Sequence, residues 1–173
     1  MKILLIGSSG AGKSTFSKKL SVLTGFPVLH LDKIWHKTDY SEDARLYFRE
    51  VQVNFMSKNE DWIIDGNYSG TMEVRLPEAD LIIWLKISRC KAIFRVIKRS
   101  LKSRIQGHNR SDMATNFKEK FDREYFEFMS FIWNFPKRNT PKMQHLIEKY
   151  DKMDHVVIVK NQKDKEKIMS MFS

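Results

Sequence analysis

The sequence predicts an α/β protein built on a parallel sheet. Short apolar runs alternate along the chain with amphipathic stretches, and three of the runs are followed directly by glycine or aspartate. Short, nearly continuous apolar runs are typical of strands that are buried on both faces of a parallel sheet. Strands that alternate with helices indicate successive βαβ units. A chain of 173 residues fits one such domain, and we expect residues 1–173 to form it.

Five strands are predicted, and they are separated by helices. The first helix follows the first strand, where Phe16, Leu20 and Leu23 recur at helical spacing until Gly25 and Pro27 end the pattern. A lysine-rich helix is predicted after the last strand. The predicted strands occupy residues 3–6, 28–31, 62–64, 81–85 and 156–159.

A second amphipathic helix is predicted between the second and third strands. Ser41 followed by two acidic residues is a good helix start. One face of this helix is expected to pack on the sheet. The residues of that face are Ala44, Phe48, Val51 and Phe55.

The segment 86–150 departs from this alternation and predicts several helices without a strand. Breaks are expected near Gly107 and near Pro136. Many lysines and arginines but no acidic residue occur from residue 86 to residue 110, and an aromatic block follows at 117–135. The aromatic residues fall on one helical stripe, which we interpret mainly as packing.

Composition favours an anionic partner and a reducing compartment. The formal net charge is +10, from 31 basic and 21 acidic residues, which suits nucleotides, phosphorylated metabolites or nucleic acid. The single cysteine, Cys90, cannot form an internal disulfide, and we expect its thiol to be at least half-buried. The apolar runs are too short to span a bilayer or to act as a signal peptide. We therefore expect a cytoplasmic protein that has no membrane association.

The strongest motif follows the first strand. The stretch "GSSGAGKS" matches the pattern G-x-x-x-x-G-K-[ST] and lies between a predicted strand and a predicted helix, which is the context that the motif requires. Glycines let several backbone N–H groups converge on an anion, and the helix start adds its partial positive charge. Lys13 supplies a point charge for the β- and γ-phosphates, and Ser14 can ligate Mg²⁺. The predicted nucleotide-binding residues are Gly7, Ser8, Ser9, Gly10, Ala11, Gly12, Lys13, Ser14 and Thr15.

Two further carboxylates are candidates for the chemistry. Asp65 follows the third strand, at the sheet edge where ligands bind, and is the predicted metal-side aspartate. Its alternative role is an Asp-Gly turn. Asp80 precedes its strand, and we expect it in an exposed turn. Asp32, at the exit of the second strand, could accept a proton from an attacking hydroxyl or could cap a helix.

Arginines in the basic segment could stabilise the charge that phosphoryl transfer moves. Arg95 and Arg99 lie four residues apart and share one helix face, and Arg110 follows the Gly107 break. Guanidinium groups bind phosphates well, and a helical flap that carries them would exclude water from the nucleotide. A solvated cationic face and a nucleic-acid track are the alternative interpretations.

The sequence resembles the adenylate-kinase-related proteins known as DNA topology modulation proteins. The resemblance spans nearly the whole chain and implies a P-loop kinase fold, in which helices flank a five-stranded parallel sheet and 86–150 contains a helical lid. It also implies ATP with Mg²⁺, the phosphate cradle at Gly7–Thr15, Asp65 on the metal side, and arginines in the lid. The residues that carry it are Gly7 to Thr15, "HLD" at 30–32, "WIIDGNYS" at 62–69, Arg95 and Arg99, "NRSDM" at 109–113 and "IWNFPKR" at 132–138.

The sequence also departs from the nucleoside monophosphate kinases. After the third strand it has Asp-Gly-Asn-Tyr-Ser and lacks the arginine with which those enzymes hold the acceptor phosphate. An aspartate after the second strand resembles kinases of small hydroxylated metabolites, and the absence of N-K-x-D favours adenine over guanine. We therefore predict an ATP-dependent phosphotransferase acting on a small molecule. The alternatives are a nucleotide-dependent DNA-binding protein and an ATPase without an acceptor.

Overall fold

The computed structural model describes residues 1–106 and 123–172, and its centre is one sheet of five parallel strands. The strands are Lys2–Gly7 (β1), Val28–His30 (β2), Trp62–Asp65 (β3), Leu81–Leu85 (β4) and Val156–Val159 (β5). Their order in the sheet is β2-β3-β1-β4-β5, and every pair is parallel. The predicted fold class is confirmed.

Helices connect the strands and cover both faces of the sheet. No helix in the described part of the chain is both long and apolar enough to cross a membrane. Two short 3-10 turns, Ser69–Thr71 and Met153–His155, complete the described elements. The helices are Lys13–Thr24 (α1), Leu31–Trp35 (α2), Glu42–Lys58 (α3), Met72–Arg75 (α4), Arg89–Gln106 (α5), Arg123–Arg138 (α6), Thr140–Lys149 (α7) and Gln162–Met169 (α8).

The core lies in two layers because successive strand residues point to opposite faces of the sheet. On one face, Leu4 and Ile64 pack with Phe48 of α3 and with residues of α6 and α7. On the other face, Ile3 and Ile63 pack with residues of α1 and α8. Burying both faces in this way makes the nearly continuous apolar runs necessary.

Several local details differ from the predictions. Strand β2 ends at His30, and the next residue already begins the short helix α2, so Asp32 lies in a helix. The buried face of α3 contains Gln52 and Met56, whereas the predicted Val51 and Phe55 are only half-buried. The prediction for Cys90 was wrong, because the thiol is exposed in the first turn of α5.

The described parts of 86–150 are helical, as the sequence predicts. Helices α5 and α6 pack through Ala92, Val96 and Ile132. Pro136 lies in the last turn of α6, and α7 begins two residues after α6 ends. The predicted break at Gly107, Arg110 and the "NRSDM" segment lie outside the described residues. The assignment of a lid to this region stays a prediction.

Candidate functional site: a phosphate-binding loop beside two carboxylates

The glycine-rich loop joins β1 to α1, and its glycines are required by close packing. Gly7 has φ of 140° and Gly10 has φ of 78°. A Cβ on Gly7 would lie 2.3 Å from the Leu85 carbonyl oxygen, and one on Gly10 would lie 2.5 Å from the Ala92 carbonyl oxygen. Any side chain at these positions would therefore collide with backbone, which fixes the loop against β4 and α5.

Two of the predicted cations contact the loop. Lys13 Nζ donates to the carbonyl oxygens of Gly7 at 2.9 Å and Ser8 at 3.2 Å. Arg95 Nη1 makes long contacts with the carbonyl oxygens of Gly10 at 3.5 Å and Ala11 at 3.4 Å. The structure thus places Arg95 of α5 beside the loop. Ser14 is half-buried and Thr15 exposed in the first turn of α1.

The other predicted arginines are located less completely. Arg99 lies one turn after Arg95 in α5 and is half-buried. Arg110 lies outside the described residues. The role of these arginines in catalysis remains a prediction.

Asn67 fastens the loop to the segment after β3. Its side-chain Oδ1 accepts from the Gly7 N–H and its Nδ2 donates to the Gly7 carbonyl oxygen, both at 2.9 Å. Because one amide satisfies both backbone groups of Gly7, Asn67 sets the distance between the phosphate loop and the 66–68 segment. No local pattern predicts this role, because the two residues are 60 positions apart in the sequence.

Asp65 pairs with His30 across neighbouring strands. The parallel register sets these residues side by side, with Asp65 Oδ2 3.0 Å from His30 Nδ1. Both side chains are nearly buried, with 4% and 9% exposed. The other oxygen, Oδ1, is buried and has no hydrogen-bond partner in the described part of the chain. A buried carboxylate oxygen without a partner is costly, so it indicates a position for water, a metal-bound water or a ligand proton.

Asp32 is held by a tyrosine at the same edge of the sheet. The Tyr68 hydroxyl donates to Asp32 Oδ1 at 2.7 Å, and the N-cap of α2 is His30, so Asp32 is not the helix cap. Burial raises the pKa of Tyr68 well above its ordinary value, and Asp32 raises it further, so the phenol stays a donor. Among the described residues, no hydrogen bond reaches Oδ2 of the half-buried Asp32. The rings of Trp35 and Phe48 pack around Tyr68.

Arg75 supports the segment that carries these groups, and sequence reasoning missed it. Its guanidinium is fully buried. One nitrogen, Nη2, donates to the carbonyl oxygens of Gly66 and Asn67, and the other, Nη1, donates to Gln52 Oε1 at 2.7 Å and to Thr71 Oγ1 at 3.1 Å. Among the described residues no carboxylate pairs with it, and burial lowers its pKa to about 9.

Asp80 and the start of α8 have structural roles. Asp80 is exposed and accepts from the Lys2 N–H at 2.7 Å, at the amino edge of the sheet and away from the loop. In the run Asn161–Asp164, which superficially resembles a guanine-selecting motif, the two end residues form a capping box at the start of α8.

Comparison with known proteins supports a relationship to the P-loop nucleotide kinases. No protein-family model matches the chain. The cytidylate kinase of Thermoplasma acidophilum is 33% identical over 85 residues, a match that covers 40% of this chain and 45% of that relative. The match thus spans less than half of the relative's length.

Solved structures that resemble the whole chain include deoxyadenosine kinase from M. mycoides. Its structure with bound dATP has a TM-score of 0.53 and 18% identity, and covers 99% of this chain and 98% of that one. The structure with bound dCTP has a TM-score of 0.52 and 18% identity, and covers 99% of this chain and 98% of that one. The structure with the products dCMP and dCDP has a TM-score of 0.51 and 15% identity, and covers 99% of this chain and 97% of that one. The chain therefore has a kinase-like α/β fold; the narrower resemblance to topology modulation proteins stays a prediction.

Proposed function

We propose that this chain is a P-loop phosphotransferase that transfers the γ-phosphate of ATP to a hydroxyl group of a small molecule. The observation that carries the proposal is the pairing of two features at one sheet edge. The glycine-rich loop is fixed there by Asn67, and a half-buried carboxylate, Asp32, is oriented there by Tyr68. Parallel α/β sheets bind ligands at this edge.

The loop would hold the triphosphate of ATP. Backbone N–H groups of Gly10 to Ser14 and the start of α1 supply positive potential. Lys13, now hydrogen-bonded to loop carbonyls, would turn to the β- and γ-phosphates. The nucleotides named with the structural relatives agree with a nucleotide donor.

The residues present fit a magnesium ion. Asp65 Oδ1 is a buried carboxylate oxygen that no other described residue contacts by a hydrogen bond, and hard cations prefer carboxylate ligands. Within the described residues no group of three His, Cys, Asp or Glu side chains could hold a metal, so water and phosphate oxygens would complete its shell. Ser14 and Asp65 would hold it, and it would neutralise charge on the transferred phosphate.

Asp32 is the proposed general base. The acceptor hydroxyl would bind Asp32 Oδ2 and lose its proton there as the acceptor oxygen bonds to the γ-phosphorus and the bond to the β–γ bridging oxygen breaks, leaving ADP. Tyr68 would keep the carboxylate in place. Arg95, Arg99 and Arg110 would stabilise the phosphoryl group and exclude water as the lid closes.

The proposal is tested by two substitutions and an acceptor panel. Nucleosides, nucleoside monophosphates, sugars and hydroxy acids are assayed for ATP-dependent ADP formation. We expect Lys13→Ala to abolish ATP binding while the protein remains folded. Asp32→Asn should keep ATP binding and lower transfer by about 10²–10⁴-fold. Unchanged ATP affinity in a folded Lys13→Ala protein would contradict the proposal.

A nucleotide-dependent DNA-binding protein is the second candidate. Helix α5 has no acidic residue and exposes Lys91, Lys98 and Lys102 beside exposed Phe94. Backbone binding predicts an affinity for duplex DNA that falls steeply as salt rises. Fluorescence anisotropy at two salt concentrations, with and without ATP, tests this candidate, and no binding at low salt would end it.

A further inference from the structure

Two cations outside the P-loop pattern lie against Gly12. A Cβ built on Gly12 would be 3.5 Å from Lys165 Nζ and 4.0 Å from Arg95 Nη1. Arg95 belongs to α5, which follows β4, and Lys165 belongs to α8, which follows β5. The sheet order puts both strands on the same side of β1, so the two helices reach the loop together.

The two cations lie close together, and no described carboxylate neutralises them. In residues 1–106 and 123–172, neither Lys165 nor Arg95 forms an ion pair with a carboxylate. Burial lowers the pKa of Lys165, and the charges of Arg95 and Lys19 lower it further. Like charges gathered at one point attract an anion more strongly than a single lysine does.

We propose that Lys165 is a second phosphate-binding lysine of the nucleotide site, acting with Arg95 on the polyphosphate chain at Gly12. The inference rests on the proposed function, since the anion is a nucleoside polyphosphate bound in the loop. Lys13 contacts the start of the loop, at Gly7, so the two lysines serve different parts of it. The chain thereby uses its last helix to bind the donor.

A purely structural role for Lys165 makes a different prediction. Its ammonium lies 5.4 Å from the centre of the Phe16 ring, so it could serve mainly to fasten α8 to α1. Removing the charge would then lower the free energy of unfolding and leave the affinity for ATP unchanged. A phosphate-binding role predicts the opposite pattern.

The experiment compares Lys165→Met with Lys163→Met. Methionine keeps most of the apolar stem and removes the charge. Lys163 is exposed and lies two residues away on a different helix face, and its substitution changes the net charge by the same amount.

ATP with magnesium and, separately, adenosine are titrated by calorimetry, and unfolding is followed in urea. We expect Lys165→Met to weaken ATP binding about tenfold or more and to leave adenosine binding unchanged, because charged hydrogen bonds are the strong ones. Lys165→Arg should recover most of the affinity.

The outcomes separate this inference from the proposed function. If the unmodified protein does not bind ATP, the proposed function fails. If it binds ATP and Lys13→Ala does not, while Lys165→Met behaves like Lys163→Met, the present inference alone is wrong. Lower stability with unchanged ATP affinity would likewise overturn it in favour of the contact with Phe16.

Proton linkage gives an independent readout. In the free protein the lowered pKa leaves part of the Lys165 population neutral at alkaline pH, and a phosphate beside it raises the pKa again. ATP binding should therefore take up protons, increasingly so as the pH rises toward the pKa of Lys165 in the free protein. Calorimetry in two buffers of different ionisation enthalpy measures this uptake. It should disappear in Lys165→Met, and equal uptake by both proteins would contradict the proposal.

Discussion

Asn67 shows how one side chain can set the geometry of a phosphate loop. Its side-chain amide bonds to both the N–H and the carbonyl oxygen of Gly7, and its backbone carbonyl oxygen accepts from Arg75. We expect Asn67→Ala to lower the free energy of unfolding by about 1–2 kcal/mol, since two hydrogen bonds are lost. ATP affinity should also fall, because the loop is no longer fixed. Urea denaturation and ATP titration measure the two effects.

The Asn67→Asp variant and a control sharpen this prediction. A carboxylate could still accept from the Gly7 N–H, but it would face the Gly7 carbonyl oxygen and bring a negative charge toward the phosphates. ATP affinity should therefore decrease in the order Asn, Ala, Asp. Asn134→Ala, which removes an amide hydrogen bond to Ser130 within α6, should leave ATP affinity unchanged. Equal affinity in all four proteins would show that Asn67 has no part in the site.

The residues of the site differ in how far the sequence could predict them. The residues of the glycine-rich loop are contiguous in the sequence, so their pattern of glycine, lysine and serine predicts the loop directly. Asp32 and Asp65 were predictable from their positions after apolar runs. Asn67 and Arg75 were not predictable, because each has a hydrogen-bond partner that is distant in sequence. The position of Lys165 beside Gly12 was not predictable either, because the two residues are far apart in sequence and nothing local distinguishes Lys165 from a surface lysine.

At the scale of elements, Arg75 joins α3, α4 and the segment after β3. Its guanidinium binds Gln52 of α3, Thr71, and two carbonyl groups that precede Tyr68. Tyr68 has a left-handed backbone with φ of 33°, which costs energy in a non-glycine residue. The buried guanidinium thus holds a strained segment that the local sequence would not maintain.

Removing the hydrogen bonds of Arg75 should lower the free energy of unfolding, and the losses caused by substituting Arg75 and Gln52 should not be additive. Arg75→Met removes the donor to four oxygen acceptors, so we expect a loss of about 3 kcal/mol or more in the free energy of unfolding. Gln52→Met should cost less. Because the two residues share one network, the double variant should lose less than the sum of the single losses. A double-mutant cycle in urea measures the coupling, and strictly additive losses would contradict it.

Elements were predictable in proportion to their length and their periodicity. All five strands and the long helices follow apolar runs or helical spacing. Helices α2 and α4 contain five and four residues, too few for a period to show. In α3 the predicted Ala44 and Phe48 are buried, but the second half of the buried face contains Gln52 and Met56 in place of Val51 and Phe55. The polar Gln52 can be buried there because Arg75 and Thr71 satisfy its amide, and the apolar pattern alone could not show this.

At the scale of the molecule, the strand order explains why the site lies where it does. Strands β3 and β4 flank β1, so the segment after β3 and the start of α5 both border the phosphate loop. Strand β2 lies beside β3, which brings His30 to Asp65 and Asp32 to Tyr68. The groups proposed to bind ATP and its acceptor therefore follow the first four strands, and the proposed Lys165 is added by α8, which follows the fifth.

Because the loop is built into the centre of the sheet, nucleotide binding should stabilise the whole domain. A ligand that binds only the folded state adds about 2.7 kcal/mol at one hundred times its dissociation constant. For a chain of this length, about 1 kcal/mol corresponds to about 2–4 °C, so ATP with magnesium should raise the Tm by about 5–10 °C. Thermal unfolding followed by circular dichroism measures the shift.

Chelating the magnesium should reduce the shift in Tm, since Ser14 and Asp65 would lose the ion that they are proposed to hold. A Lys13→Ala protein should keep its own Tm without ATP and gain little from ATP. An equal shift in both proteins would place the ATP site away from this loop.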